Sequence, residues 1–247
     1  MGKVYLVGAG PGSADLLTLK AARLLAAAGT VIYDRLVSED VLTLVNPRAE
    51  RIYAGKQQGE QDEMQRDIYA LLLARSATHD IVVRLKGGDP MVFGRGAEEW
   101  QFLAQRGVDV ELVPGVSSAL AVPSLAGIPL TCRGVAGSFA VVTGHRQNLQ
   151  SSEWSRYASV DTLVVLMGVE FRDIIATRLI EAGRDPDQPV AFVERGATPS
   201  QRVVITTLGA VSRREVDVES PAVFISGEVV RLRLDILTAM PEEACAG

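Results

Sequence analysis

VYLVGAGPGSADLLTLKAARLLAAAGTVIY, residues 4–33, reads as a strand, a glycine-rich turn, a helix and a second strand. Residues 4–7 and 31–33 are apolar and rich in β-branched side chains, as in strands buried on both faces. Between them Leu17, Ala21, Leu24 and Ala28 recur at steps of 4, 3 and 4, the apolar face of a helix. Ser13 is placed to cap its start and Gly29 to stop it. Residues 81–85 and 110–113 repeat the strand pattern, which predicts an α/β fold whose first sheet is mostly parallel. A second series of strand-like runs covers 139–142, 162–167, 190–194, 203–207 and 222–226. Residues 211–219 are too short and charged to make a good helix between the last two, so antiparallel pairing is expected there and a mixed second sheet. The reading is two α/β lobes, 1–113 and 137–235, with a connecting segment 114–136 and a tail 236–247.

At 247 residues the chain has room for one large domain or two small ones of the usual ~150 residues or less. Its 47% hydrophobic and 22% charged composition, with 23 Gly and 11 Pro, excludes disorder, collagen and coiled coil. A net charge of -5 excludes a general nucleic-acid footprint, so any anionic ligand has to be met by local Arg or Lys. Cys132, Cys245, His79 and His145 fall in no metal-ligand spacing, and no metal is expected. Residues 112–132 carry no charge, but Pro114, Pro123 and Pro129 with Gly115 and Gly127 interrupt them. That stretch is therefore a buried irregular segment and not a membrane span. The first residues run directly into a strand without the features of a signal peptide, and a cytoplasmic protein is expected.

In open α/β sheets ligands bind beyond the carboxyl ends of strands, so the loops that follow strands carry the functional information. Gly8-Ala9-Gly10-Pro11-Gly12-Ser13 fits the first two glycines of a dinucleotide fingerprint and has Ser13 in place of the third. Asp34, at the end of the second strand, is a candidate ribose-binding acid, and with Gly8 and Gly10 it defines an NAD-dependent oxidoreductase reading. Pro11 counts against it by removing a backbone donor, and a plain tight turn is the alternative. Arg84-Leu85-Lys86-Gly87-Gly88-Asp89-Pro90 and Phe93-Gly94-Arg95-Gly96 combine glycine with charge; a ligand site is favoured there over an Asx turn with a solvated Arg. Ser117 and Ser118 in Pro114-Gly115-Val116-Ser117-Ser118 are better read as helix caps than as ligand contacts. His145 after the fifth strand-like run and Met167 after the sixth carry no hypothesis unaided.

Taken together, VGAGPG (7–12), LLTLKAA (16–22), YDRLVS (33–38), GK (55–56), VVRLKGGDPMVFGRGAEE (82–99), VPGVSSA (113–119), GIPLTCR (127–133), VTGH (142–145) and MG (167–168) resemble the uroporphyrinogen-III C-methyltransferases over almost the whole chain. The resemblance implies two α/β lobes of the tetrapyrrole methylase type with an active-site cleft between them, a homodimer, and S-adenosyl-L-methionine as methyl donor, with S-adenosyl-L-homocysteine as product. It also implies that the first glycine loop is not the principal donor cradle, against the dinucleotide reading. Pro11, Gly87, Gly88, Asp89, Val92, Ser117, Ser118, Met167 and Gly196 match donor-binding positions. Asp34 and Lys56 match positions of a proton acceptor and a proton donor, and Arg95, Glu98 and Arg133 match residues around the tetrapyrrole. Asp34 and Arg95 both stay open as the base.

The implied activity is methylation of uroporphyrinogen III at two ring carbons, giving precorrin-2 by way of precorrin-1, for sirohaem, cobalamin or haem d1. Alternatives are a later precorrin methyltransferase of cobalamin synthesis, the oxidoreductase, and a tetrapyrrole- or donor-binding module without turnover. Methyl transfer from a sulfonium gains from enclosure and alignment, and the methylated pyrrole must then lose a proton to a base. The substrate's carboxylates require cations, and Arg35, Lys56, Arg95, Arg133, His145 and Arg146 are available.

The chain departs from the family where an Arg and a His usually follow Gly55-Lys56; Gln57 and Gln61 stand there instead. Each lost charge-assisted hydrogen bond would cost about 1.5–3 kcal/mol in a dry site and less in a wet one. Gln57→Arg with Gln61→His is expected to lower KM for uroporphyrinogen III, with the His contribution larger at mildly acidic pH where imidazole is charged. Steady-state kinetics across pH check this; an unmoved KM means that the loop is solvated or that Arg146 already fills the role.

Overall fold

The computed structural model describes residues 2–55, 61–145 and 152–238, without the side chains of 61–64, 152 and 153. Lys56, Gln57, Arg146 and the Gln61 side chain lie outside the described residues, as do 239–247. The chain divides into two units, Met1–Ser117 and Ser118–Gly247.

In the first unit the β-branched runs form β1 (Lys3–Gly8), β2 (Thr30–Tyr33), β3 (Glu50–Tyr53), β4 (Ile81–Lys86) and β5 (Val110–Val113). They lie in the order β3-β2-β4-β1-β5 and every pairing is parallel. A parallel sheet needs cover on both faces. Val83 and Leu85 of β4, with Val7, Val31 and Val113, pack against Ala21 and Leu25 of α1 (Leu19–Ala27) and Val41 and Leu42 of α2 (Glu39–Leu42). Alternate residues point the other way: Val82, with Val4, Leu6 and Ile32, packs against Ile68 and Leu72 of α3 (Gln61–Ser76) and Leu103 of α4 (Gly96–Ala104).

The helix expected to start at Ser13 starts at Leu19. Ser13 instead caps a short 3-10 turn, Ala14–Leu16, accepting from the Asp15 amide, and Leu17 and Thr18 are extended. Thr18 is the true cap, accepting from the Ala21 amide at 3.2 Å. The 4-3-4 spacing nevertheless marks the buried face, because Leu17 packs on the same core from outside the helix. The helix ends at Ala27 ahead of Gly29, as expected.

The second unit holds β6 (Phe139–Thr143), β7 (Thr162–Leu166), β8 (Pro189–Glu194), β9 (Arg202–Thr207) and β10 (Ala222–Ser226) in the order β6-β7-β10-β8-β9. β6 and β7 are parallel and the other pairings antiparallel, so the sheet is mixed. The antiparallel pairing is not between β9 and β10 themselves, because each pairs with β8, which lies between them. One face packs on α6 (Arg172–Glu181) and α7 (Leu208–Ser212) through Leu163, Val165, Phe192 and Phe224 against Ile175, Leu179 and Leu208. The other packs through Val164, Val193 and Ile225 against Ala119 and Val122 of α5 (Ser118–Leu125), with Ala126, Ile128 and Ala136 beyond it. A last helix, α8 (Leu232–Thr238), follows β10.

At the carboxyl end of the first sheet the backbones of Gly8, Gly88 and Gly115 touch. A Cβ on Gly8 would stand 2.5 Å from Gly115 Cα and 2.6 Å from the Gly88 carbonyl oxygen, and one on Gly115 would overlap that oxygen. Gly10 and Gly88 close the junction as an antiparallel bridge. Gly115→Ala is therefore expected to destabilise by about 1–3 kcal/mol, the cost of overpacking. Gly137→Ala, where only the Asp161 carboxylate is near at 4.0 Å, is expected to stay within about 0.5 kcal/mol. Urea unfolding of both variants checks the contrast.

Candidate active site

Each unit carries part of the residue set read from the sequence, and the chemistry concentrates where strands end. In the first unit several amides of the loop after β1 are occupied within the fold. Ala9 donates to the Lys86 carbonyl at 2.7 Å and Gly10 to the Gly88 carbonyl at 3.2 Å. The Ala14 amide donates to the Asp40 carboxylate at 2.7 Å. Pro11 is half-buried in this loop, and no α-helix starts at its end. Three amides of the loop are thus spent within the fold and no α-helix N-terminus lies at its end, which counts against the dinucleotide reading.

Asp89 follows Gly87 and Gly88 at the end of β4. Its Oδ1 accepts from the Met91 amide at 2.8 Å and its Oδ2 from the Gly115 amide at 3.0 Å. The Asx turn set aside in favour of a ligand site is therefore present, and the same carboxylate staples the end of β4 to the end of β5. The chain then turns through Phe93 (φ 54°) and Arg95 (φ 59°), two non-glycine residues in the left-handed region. Met91, Val92 and Phe93 expose their apolar side chains around this turn. Arg95 precedes α4 and donates through Nε and Nη2 to Glu98 Oε2 at 3.0 and 2.7 Å. Such strained positions persist only where the surroundings fix them and cluster at binding sites.

Asp34 lies just past β2, half-exposed, and is engaged by charges the sequence reading left out of the site. β4 continues to Lys86, so Arg84 and Lys86 sit on the same face as Val82 and are buried against α3 and α4. Arg84 Nη2 donates to Asp34 Oδ1 at 2.5 Å, and Lys86 Nζ stands 3.7 Å from Asp34 Oδ2. Both cations also meet Oε1 of Glu99, a residue of α4 with no exposed surface, at 3.2 Å from Arg84 Nε and 2.8 Å from Lys86 Nζ. Gln65 donates to the same oxygen at 3.3 Å. Burial works against charge on Arg84, and the Glu99 and Asp34 carboxylates outweigh it, holding the guanidinium pKa above its ordinary value. Two cations at alternate positions of a strand destined for both-sided burial are the signal that could have found this cluster.

Arg35, beside Asp34, is exposed. Ser117, buried, ends the first unit, and Ser118 begins α5 in the second.

In the second unit Met167 is exposed and left-handed (φ 57°), which is why β7 stops at Leu166. The neighbouring Gly168 packs on Gly144, where an added Cβ would meet Gly168 Cα at 2.5 Å. His145 follows Gly144, half-buried, its amide donating to Thr143 Oγ1 at 3.3 Å. Gly196 stands between left-handed Arg195 (φ 45°) and Ala197 (φ 61°), and a Cβ there would strike the Val122 side chain at 2.5 Å. That turn is anchored by Glu194, fully buried, which accepts from Arg202 at 2.5 and 2.7 Å, Arg195 at 3.2 Å and the Glu219 amide at 2.8 Å. The Arg202 hydrogen bonds hold the Glu194 carboxyl below its ordinary pKa. Arg133 is exposed in the turn closed by the Cys132–Ala136 bridge.

The described residues contain no cluster of His, Cys, Asp or Glu able to hold a metal ion and no helix long and apolar enough to cross a membrane. A surface hollow lined by Tyr5, Lys20, Arg23, Leu24 and Glu111 shares no residue with this set.

The chain is 52% identical to a uroporphyrin-III C-methyltransferase from Thermus thermophilus, solved in complex with S-adenyl homocysteine; the alignment covers 94% of each chain with a TM-score of 0.83. It is 45% identical over 237 residues to an S-adenosyl-L-methionine-dependent uroporphyrinogen III methyltransferase, chloroplastic, of Arabidopsis thaliana, covering 94% of this chain and 64% of that one. It is 44% identical over 234 residues to a siroheme synthase of Saccharophagus degradans, covering 93% of this chain and 51% of that protein, so it spans about half the length of the siroheme synthase. With residues 3–212 matching the family model of tetrapyrrole (corrin/porphyrin) methylases, the chain belongs to that family.

Proposed function

We propose that this chain transfers methyl groups from S-adenosyl-L-methionine to two ring carbons of uroporphyrinogen III, giving precorrin-2 by way of precorrin-1. The observation that carries the reading is the 52% identity, over nearly all of both chains, to a methyltransferase holding the demethylated form of the donor. The residues fit it chemically. Pro11, Gly87, Gly88, Val92, Met167 and Gly196 are uncharged and Asp89 is occupied by two amides. These positions therefore suit backbone and apolar contacts to the donor. Held by this set, the sulfonium loses its charge as its methyl group moves, so orientation and exclusion of water contribute more than covalent help.

After attack the methylated carbon, which already carried a side chain, is fully substituted and the ring is cationic, so a proton must leave from another position of the macrocycle. Asp34 is the group to take that proton, because its carboxylate is held in place from behind by Arg84 and Lys86 while its side chain keeps 29% of its surface exposed. Lys56 is the proton donor in this reading. The anionic substrate meets Arg35, Arg95, Arg133 and His145, with Glu98 fixing Arg95. Arg84 and Lys86 are buried and paired, so they are not the substrate's anion site. We further propose a cytoplasmic homodimer that acts on a small molecule and on neither nucleic acid nor membrane.

Calorimetry is expected to show binding of S-adenosyl-L-homocysteine and none of NAD; the reverse would overturn the reading. Asp34→Asn is expected to cut kcat by about 10²-fold or more, the usual worth of a general base, with S-adenosyl-L-homocysteine affinity unchanged. Lys56→Ala and Arg95→Ala are expected to follow the same split between turnover and donor affinity. For Asp89 the expected loss is in donor binding: Asp89→Ala removes both amide contacts and is expected to weaken S-adenosyl-L-homocysteine about tenfold or more, with Asp89→Asn intermediate.

A further inference from the structure

Four charges are packed at the carboxyl end of the first sheet, and only one of them, Asp34, takes the proton in the reaction proposed above. Asp34 reaches the surface; Arg84, Lys86 and Glu99 do not. Glu99 Oε1 receives hydrogen bonds from Arg84, Lys86 and Gln65, and its Oε2 has no partner among the described residues. Arg84 also donates to the Ile32 carbonyl at 3.4 Å, which fixes the guanidinium against β2, the strand that leads to Asp34. As a device for stability alone the cluster is poor. Well-packed apolar residues of similar volume commonly do as well as a buried ion pair or better, and an unpartnered buried carboxylate oxygen adds a cost.

The cluster's arrangement is ordered: a surface carboxylate, then two cations, then a buried carboxylate. With all four ionised it is neutral. The cations neutralise Asp34 only partly, because Glu99 competes for them. We propose that Glu99 is a positioning residue of the reaction: acting through Arg84 and Lys86, it fixes the Asp34 carboxylate and limits the positive charge that carboxylate feels, keeping it basic enough to take a proton. The proposal rests on Asp34 being the proton acceptor.

Among the described residues the groups facing the cluster are Arg84 and Lys86 from β4, Glu99 from α4, and Gln65 and Tyr69 from α3. The Tyr69 hydroxyl also feels Glu98 and Arg95, and burial, with Glu98 next, raises its pKa, so it stays neutral. Replacing Glu99 by Gln leaves two cations facing one carboxylate. Opposite charge favours the ionised carboxylate and lowers its pKa, so the acid limb of the kcat profile moves to lower pH and the plateau falls. Removing Lys86 leaves two carboxylates and one cation, and the limb moves the other way.

The test is the pH dependence of kcat with uroporphyrinogen III for Glu99→Gln, Glu99→Asp, Lys86→Met and Asp34→Asn, with S-adenosyl-L-homocysteine affinity measured alongside. Glu99→Gln is expected to shift the acid limb down by about one pH unit and to lower plateau kcat by up to about tenfold, with KM and donor affinity nearly unchanged. Glu99→Asp keeps the charge and is expected to return the limb toward its native position. Lys86→Met is expected to shift the limb upward, and it carries the test with Glu99→Asp should Glu99→Gln fail to fold. A purely structural cluster would give lower stability or lower amplitude with no opposed shifts, and that result overturns the proposal. If Asp34→Asn is itself active, the function reading of Asp34 fails; if Asp34→Asn is silent and the limbs do not move, only the role of Glu99 fails.

Discussion

Three backbones come within contact of one another at Gly8, Gly88 and Gly115, and a Cβ at Gly8 or Gly115 would overlap its neighbours. The arrangement of the first unit's site depends on that approach. It brings the turn after β1 and the turn after β4 into a two-residue bridge at Gly10 and Gly88, and it brings the Gly115 amide within reach of Asp89. Asp89 then has both oxygens occupied by backbone, so the chain beyond it is launched in one direction, into left-handed residues that a freer loop would avoid. Glycine's missing side chain permits the contact, and the Asp89 carboxylate holds it.

A second constraint comes from strand parity. β4 lies between β1 and β2, and the register pairs Tyr33 with Leu85, so Asp34, the next residue, arrives beside Lys86. Because Arg84 and Lys86 share the parity of Val82, their charges have to be answered on the face covered by α3 and α4. Glu99 supplies the answer from α4, but it cannot also pair its second oxygen. The geometry is over-determined from the backbone side: neither cation has a route to solvent, so Asp34 is the one member of the set whose environment a ligand can change.

The sequence made the architecture readable because burial on two faces leaves a strong mark. Nine of the strands lie close to their expected places, and the short charged stretch after Thr207 correctly signalled a mixed sheet, though it pointed to the wrong partners, since pairing order depends on contacts far apart in the chain. β3, with three of its four residues exposed, left no such mark. Ser13 and Thr18 are both good caps, and only the extended backbone at Leu17 and Thr18 decides between them. At the site, Gly87, Gly88 and Asp89 stood out by composition, whereas the double hydrogen bonding of Asp89 depends on Gly115, 26 residues away. Arg84 falls inside the expected strand and Lys86 just beyond it; the strand runs one residue further, to Lys86, and neither cation is given a partner by the sequence. Glu194 escaped notice in the same way, as the last residue of an apolar strand whose carboxylate ties down the turn at Gly196.

The choice between Asp34 and Arg95 as the group that accepts the proton turns on chemistry that the structure makes specific. A guanidinium has five donors and no acceptor, and it stays protonated in proteins. Arg95 is in addition paired through two of its nitrogens with Glu98, which stabilises the cation further. Its part in the proposed reaction is therefore to meet a carboxylate of the substrate. Asp34 has the opposite character: an acceptor held by two buried cations on one side and partly open on the other. A carboxylate so placed is held in position by the charges behind it when a cationic ring arrives. On the proposed reading, the placement of the proton acceptor is thus decided in the core of the first unit, by residues that never meet the substrate.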